Sequence, residues 1–113
     1  MALYFSAHWC PPCRGFTPIL SEFYQEAKQH NAQDIEIIFV SSDQDQKSFD
    51  EYFGTMPFKA IPFGDETVKK LKTQNNVSGI PMLIIFKPDG TVVTREGRAS
   101  VTQSGVKAIE SWA

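Results

Sequence analysis

The sequence has no run of positive charge. Its eleven Lys and Arg are outnumbered by thirteen Asp and Glu, leaving a formal net charge of −2. A nucleic-acid surface needs a basic patch facing the phosphates, so none is expected. No segment approaches the ~20 consecutive apolar residues of a membrane-spanning helix, and no membrane contact is expected. The opening MALYFSAHWC has neither the basic head nor the long apolar run of a secretory signal. Only two cysteines occur, Cys10 and Cys13, too few for the disulfide framework of a small secreted domain. A reducing, cytoplasmic setting follows. Repeats, low-complexity tracts and linkers are missing too, so residues 1–113 read as one domain.

What is present is an ordinary globular composition, 42% hydrophobic and 21% charged, with nine Phe, three Tyr and two Trp. A chain of this length buries a core without staples or a structural metal, and that core is expected to be aromatic. LYFSA, from Leu3 to Ala7, reads as a short buried strand. Phe16, Ile19, Leu20, Phe23, Tyr24 and Ala27 then recur at helical spacing, and the helix is expected to reach about His30 with a kink at Pro18. DIEIIFVSSD (Asp34 to Asp43) is a β-branched run and reads as a second strand. Phe49, Tyr52, Phe53 and Met56 mark a second helix that ends near Gly54. PFKAIPFGD, with two prolines, is expected to be extended. DETVKKLKTQNN has acids before lysines, the order that complements a helix dipole, with only Val68 and Leu71 as its apolar side.

Met82 to Phe86, the turn KPDG and the return over Thr91 to Thr94 form a hairpin. Gly97 breaks the return strand, and a last helix carries Val106, Ile109 and Trp112. The first two strands are joined by a helix and are expected to be parallel. The fold class is α/β: a mixed sheet of about four strands with helices on both faces.

Cys10 and Cys13 enclose Pro11 and Pro12. A structural zinc site needs four ligands, and the chain offers this pair, His8 and His30 at poor spacing, so no metal is expected. A permanent bridge closing so small a loop removes little chain entropy. The redox reading has a mechanism. The pair sits where a strand gives way to a helix, and a thiolate there faces exposed N–H groups and the positive end of the dipole. Cys10, at the tip, attacks a substrate disulfide. Cys13, one turn inside, resolves the mixed disulfide. The prolines stiffen the loop, and Pro12 fits a first-turn position where a missing N–H costs nothing.

Several motifs in order carry a resemblance. WCPPC after a short strand, Pro18 beyond it, and GIP before a strand, hairpin and helix resemble thioredoxin over essentially the whole chain. YFSAHWCPPCRGFTPIL with EFY, VSSDQD, FDEYFGTMPF, IPFGD and TREGR resemble the nucleoredoxin and tryparedoxin branch more closely. The resemblance implies that Cys10 is the nucleophile, Cys13 the resolving cysteine and Trp9 the flanking tryptophan. It implies that Pro81 is a cis-proline facing the cysteines, and that the Ile80 backbone pairs with substrate. Trp9, Pro11, Pro12, Ile80 and Pro81 form the expected substrate-binding set. Thioredoxin has a buried acid where this chain has Tyr4, so the Cys13 proton must go elsewhere, to water or to the Tyr4 hydroxyl. Phe58 stands where the branch usually has tryptophan.

The implied activity is protein-disulfide reduction without a bound cofactor. Its substrates are disulfide-containing proteins, and its electrons come from an external dithiol or reductase. A redox-sensitive binding module of nucleoredoxin type is the rival reading. The resemblance also extends the expected location to the nucleus. Exported cytochrome-maturation proteins share WCPPC but fit RGFTPIL and TREGR less well. Relatives carry a further strand before YFSA. Without it, the strand Ile35–Val40 is expected to form an apolar sheet edge open to self-association. Asp43 and Asp45 are candidate helix N-caps; His8 reads as a solvated loop residue; Arg95 and Arg98 flank Gly97 in a loop expected near Pro81.

Overall fold

A computed structural model of the chain describes residues 2–29, 36–43, 45–77, 79–87 and 89–105. Its elements run β1 (Ala2–Ser6), α1 (Pro11–Gln29), β2 (Ile37–Ser41), α2 (Gln46–Phe53), β3 (Lys59–Ala60), α3 (Glu66–Gln74), β4 (Met82–Phe86), β5 (Val92–Thr94) and α4 (Gly97–Ser104). The strands form one mixed sheet in the order β3-β2-β1-β4-β5. β1 lies parallel to β2, with Tyr4 opposite Phe39, and antiparallel to β4, with Phe5 opposite Met82.

β1 is buried along its whole length because both faces of the sheet are covered. Successive side chains alternate between faces. Tyr4, Ile37, Phe39 and Leu83 pack beneath Phe16, Leu20 and Phe23 of α1, Phe49 and Tyr52 of α2, and Val101 of α4. Leu3, Phe5, Val40 and Ile84 face the other way, toward Val68 and Leu71 of α3. The first cluster is the aromatic core. Phe39 stacks on Phe49 at 5.8 Å, and Tyr4 meets Phe16 edge-on at 5.8 Å and Phe58 at 6.2 Å.

α1 buries Cys13, Phe16, Thr17, Leu20, Phe23 and Ala27 at the expected helical spacing, and its helical span includes Pro18. Ile19, expected on that face, is exposed. Asp45 caps α2 by accepting from the Ser48 N–H at 2.7 Å, and Asp65 caps α3 by accepting from the Thr67 N–H at 2.8 Å. The β4–β5 turn closes through the Lys87 N–H to the Thr91 carbonyl, 2.8 Å, with Gly90 at φ +91°. That φ favours glycine.

The mixed sheet expected to hold about four strands has a short fifth, because Lys59–Ala60 of the extended segment pairs parallel with Ile38 and Phe39. β2 is therefore not the edge expected at Ile35–Val40. A two-residue strand with an exposed Lys59 occupies that side, and short, charged edges are how sheets avoid pairing with other chains. The basis for self-association there is removed. The final helix starts at Gly97 itself, whose missing side chain lets α4 approach β4: a Cβ there would lie 2.9 Å from both Leu83 Cγ and the Leu83 carbonyl oxygen. Val106, Ile109 and Trp112 of the expected last helix, together with His30 and Ile35, lie outside the described residues.

Candidate dithiol site

The site grows from the end of the central strand. β1 stops at Ser6, and the chain turns through Ala7, His8 and Trp9, with the Cys10 N–H donating to the Ala7 carbonyl at 3.3 Å. The Arg14 N–H then donates to the Cys10 carbonyl at 3.1 Å. Cys10 thereby takes the position just before the helix, and Pro11 and Pro12 fill the first turn, where N–H groups have no intrahelical partner to lose. Both prolines are exposed. Both cysteines are free thiols.

Cys10 retains a small opening to solvent, 6% of its surface, while Cys13 has none. The two pack with Ala7 and Ile80 in a small cluster. The Cys10 thiol points at the Ile80 carbonyl, 3.9 Å away, and the Ile80–Pro81 peptide bond is cis. Ile80, and through the cis bond the start of Pro81, thus lies beside Cys10. The Arg98 guanidinium, in the first turn of α4 rather than in the loop expected there, donates to the Pro81 carbonyl at 3.5 Å. Trp9 is 56% exposed, and its indole N–H donates to the Ser42 carbonyl at 3.0 Å.

Burial pushes the Cys13 thiol up to about 11, with the neighbouring Cys10 acting in the same direction. Tyr4 does not reach this sulfur directly. Its hydroxyl donates to the Cys13 carbonyl at 3.3 Å and lies 2.7 Å from Thr17 Oγ1. Burial holds its phenol well above the ordinary tyrosine range.

Four residues at the site were given no role there in the sequence. Ser6 Oγ lies 2.7 Å from the Tyr52 hydroxyl, which in turn bonds Thr17 Oγ1, so a line of hydroxyls runs beneath the cysteines. A serine on the same face as Tyr4 in a buried strand was the available signal. Asp43, expected only as a helix cap, is the fourth. It does not cap α2, which Asp45 does. It is 9% exposed and accepts from the His8 N–H and from the Ser41 hydroxyl, both at 2.7 Å, fastening the cysteine loop to the end of β2. His8 is half-buried rather than freely solvated, and its ring stacks on Tyr52 at 5.4 Å. No cluster of His, Cys, Asp and Glu among the described residues could hold a metal ion. None of their helices is long and apolar enough to cross a membrane.

A Cys-x-x-Cys pair between a central strand and a helix, with a cis-proline just before the neighbouring strand, places the chain in the thioredoxin-like class. Comparison with known proteins agrees. A family model described as thioredoxin-like matches residues 1–92. The chain is 52% identical over 106 residues to a probable nucleoredoxin 1 of Arabidopsis thaliana, covering 94% of this chain and 18% of that protein. It is 47% identical to the nucleoredoxin of Mus musculus, covering 89% of this chain and 23% of that one. It is also 42% identical to the tryparedoxin of Trypanosoma brucei brucei, covering 97% and 76%. Among solved structures, a Trypanosoma brucei tryparedoxin superposes with a TM-score of 0.86 at 40% identity, over 98% of this chain and 77% of the other. The chain belongs to the thioredoxin-like oxidoreductase family, in its nucleoredoxin and tryparedoxin branch. It spans about a fifth of the length of the nucleoredoxins it matches.

Proposed function

We propose that the chain reduces protein disulfides through Cys10 and Cys13. The observation that supports this best is their unequal placement: Cys10 at the helix start with a face to solvent, Cys13 sealed behind it. The Cys10 thiolate attacks one sulfur of a substrate disulfide. A Cys10–substrate bond forms, the substrate's own S–S bond breaks, and the first substrate thiolate leaves. Cys13 then attacks Cys10 and releases the second. The protein is left oxidised, and a separate dithiol or reductase returns two electrons. Trp9, Pro11 and Pro12 supply the exposed contact surface, and Ile80 and Pro81 its opposite wall.

The direct test is dithiothreitol-driven reduction of insulin disulfides by the parent protein and a Cys10→Ser variant. Fast turnover that disappears in the variant supports the reading. No rate above dithiothreitol alone, on folded protein with two titratable thiols, overturns it. Exposed Trp9 also favours partner binding. A Cys13→Ser variant separates the two: trapped mixed disulfides mean turnover, and non-covalent complexes alone mean a binding module.

A further inference from the structure

β1 and β2 run parallel and leave the sheet at the same end, with Ser6 opposite Ser41 and the Ser42 N–H donating to the Ser6 carbonyl at 2.9 Å. The dithiol loop follows one strand, and a second loop, through Ser42 and Asp43, follows its neighbour. Crevices beyond the carboxyl ends of parallel strands are where open α/β sheets take ligands. Between the second loop and α3 lies a cavity of about 270 Å³. Its walls include Ser42 and Asp43 from the loop, Phe63 from the segment before α3, and Val68, Lys69 and Lys72 along α3. Trp9 joins this cavity to the cysteines. It immediately precedes Cys10, and its indole N–H donates to the Ser42 carbonyl at 3.0 Å.

The cavity is smaller than the roughly 300–1,000 Å³ of a small-molecule site and has room for about one or two side chains. Three carboxylates border it, and two are already engaged. Asp43 accepts from the His8 N–H and the Ser41 hydroxyl through its two oxygens, and Asp65 accepts from the Thr67 N–H. Glu66, the third, is exposed in the first turn of α3. Lys72 is half-buried, and the ion pair found among the described residues, Lys28 with Glu36, does not involve it. Burial pushes its ammonium below the ordinary lysine range, and the Asp43 charge offsets that only in part. Lys69 lies three residues earlier, on the same face of the helix, and adds a second cation. A half-buried ammonium with no direct carboxylate partner, beside the apolar Phe63 and Val68, matches a short hydrocarbon stem that ends in a carboxylate.

We propose that this cavity is a specificity subsite for an acidic side chain, Asp or Glu, of the disulfide-bearing polypeptide, with Lys72 and Lys69 as its cations. The subsite rests on the reductase reading and narrows it to substrates with an acidic residue a few positions from the reactive cysteine. A polypeptide held on Cys10 and laid across Trp9 reaches the cavity within a few residues, each extended residue spanning about 3.3 Å. The formal net charge of the chain is −2, so its overall field does not favour an acidic partner. A preference for one has to come from the local cations.

The experiment uses three synthetic peptides that share one intramolecular disulfide and differ only in the residues about three positions outside the cysteines, which are Glu, Gln or Lys. The second-order rate constant for reduction by the fully reduced protein is read at low salt by acid quench and chromatography. The parent is expected to reduce the Glu peptide about three- to tenfold faster than the Gln peptide, with the Lys peptide slowest. The Glu-to-Gln ratio is expected to fall to about 1 when Lys72→Gln and Lys69→Gln are combined, and to survive Lys72→Arg. A general loss of activity cancels in this ratio. Lys69→Gln alone, at an exposed position, is expected to lower the ratio partway and carries the test if the double variant does not fold. Equal rates for the Glu and Gln peptides in the parent, or a Lys peptide reduced fastest, overturn the subsite. So does a ratio that persists in the folded double variant. A parent that reduces none of the three peptides, or a Cys10→Ser variant that matches it, sinks the reductase reading itself and the subsite with it.

Discussion

Replacing Asp43 by alanine tests whether the cysteine loop is held by this one carboxylate. The side chain is 9% exposed and accepts two hydrogen bonds of 2.7 Å, from the His8 N–H and the Ser41 hydroxyl. Ser41 retains a partner after truncation, because its oxygen also accepts from the Asp43 N–H at 2.9 Å. The His8 N–H does not, and it is left half-buried with an acceptor removed. A hydrogen bond to a charged group contributes about 1.5–3 kcal/mol, and an orphaned donor adds a desolvation cost of similar size. Taken together without full additivity, Asp43→Ala should cost about 3 kcal/mol. For a domain of about 100 residues that lowers the melting temperature by roughly 12–24 °C. Asp43→Asn keeps one acceptor oxygen for His8 and should cost about half as much. Thermal melts of the reduced protein measure both. Trp9, tied to the adjacent Ser42 carbonyl, should loosen with the loop, so insulin reduction by the folded Ala variant should slow as well. An Ala variant melting within about 2 °C of the parent would show that the latch holds nothing, and the reasoning would fail.

Two further outcomes follow from the same geometry. Gly97→Ala should cost about 1–3 kcal/mol in urea unfolding, because the new Cβ meets the Leu83 side chain and carbonyl at 2.9 Å; an unchanged midpoint would refute the close approach. The raised Cys13 value predicts a pH dependence. Between the ordinary 9.0 and about 11 the unfolded chain has released the Cys13 proton while the folded chain retains it, so the contribution is whole below 9.0 and is lost as pH rises through 11. Stability of the reduced protein should therefore fall between pH 9 and 10, and Cys13→Ser should flatten that fall; parallel curves would contradict it.

The parts of the fold visible in the sequence were those written by local periodicity. The buried run Leu3–Ala7, the helical recurrence after Cys13 and the KPDG hairpin each carry their signal within a few residues. β3 does not: Lys59 and Ala60 have no strand pattern of their own and become one only because β2 offers an open ladder. The site divides the same way. Cys10, Cys13, Trp9 and the Ile80–Pro81 pair sit in contiguous motifs. Ser6 and Tyr52 are 46 residues apart, and Asp43 is 35 from His8, so only the folded sheet joins them. Tyr52 read as plain core because its ring is core; the hydroxyl at its end is what the spacing could not reveal.

The two halves of the dithiol site hang from one ladder. Cys10 follows β1 by a few residues, Pro81 immediately precedes β4, and Phe5 pairs with Met82 where those strands approach the site. β1 is paired on both sides and covered on both faces. Amides in such a strand exchange with solvent only when the whole domain opens. The strands that carry the nucleophile and the proline wall are thus expected to part only in global unfolding. On the proposed reading, any adjustment of the slot to a partner falls to the loop 7–9 that Asp43 fastens.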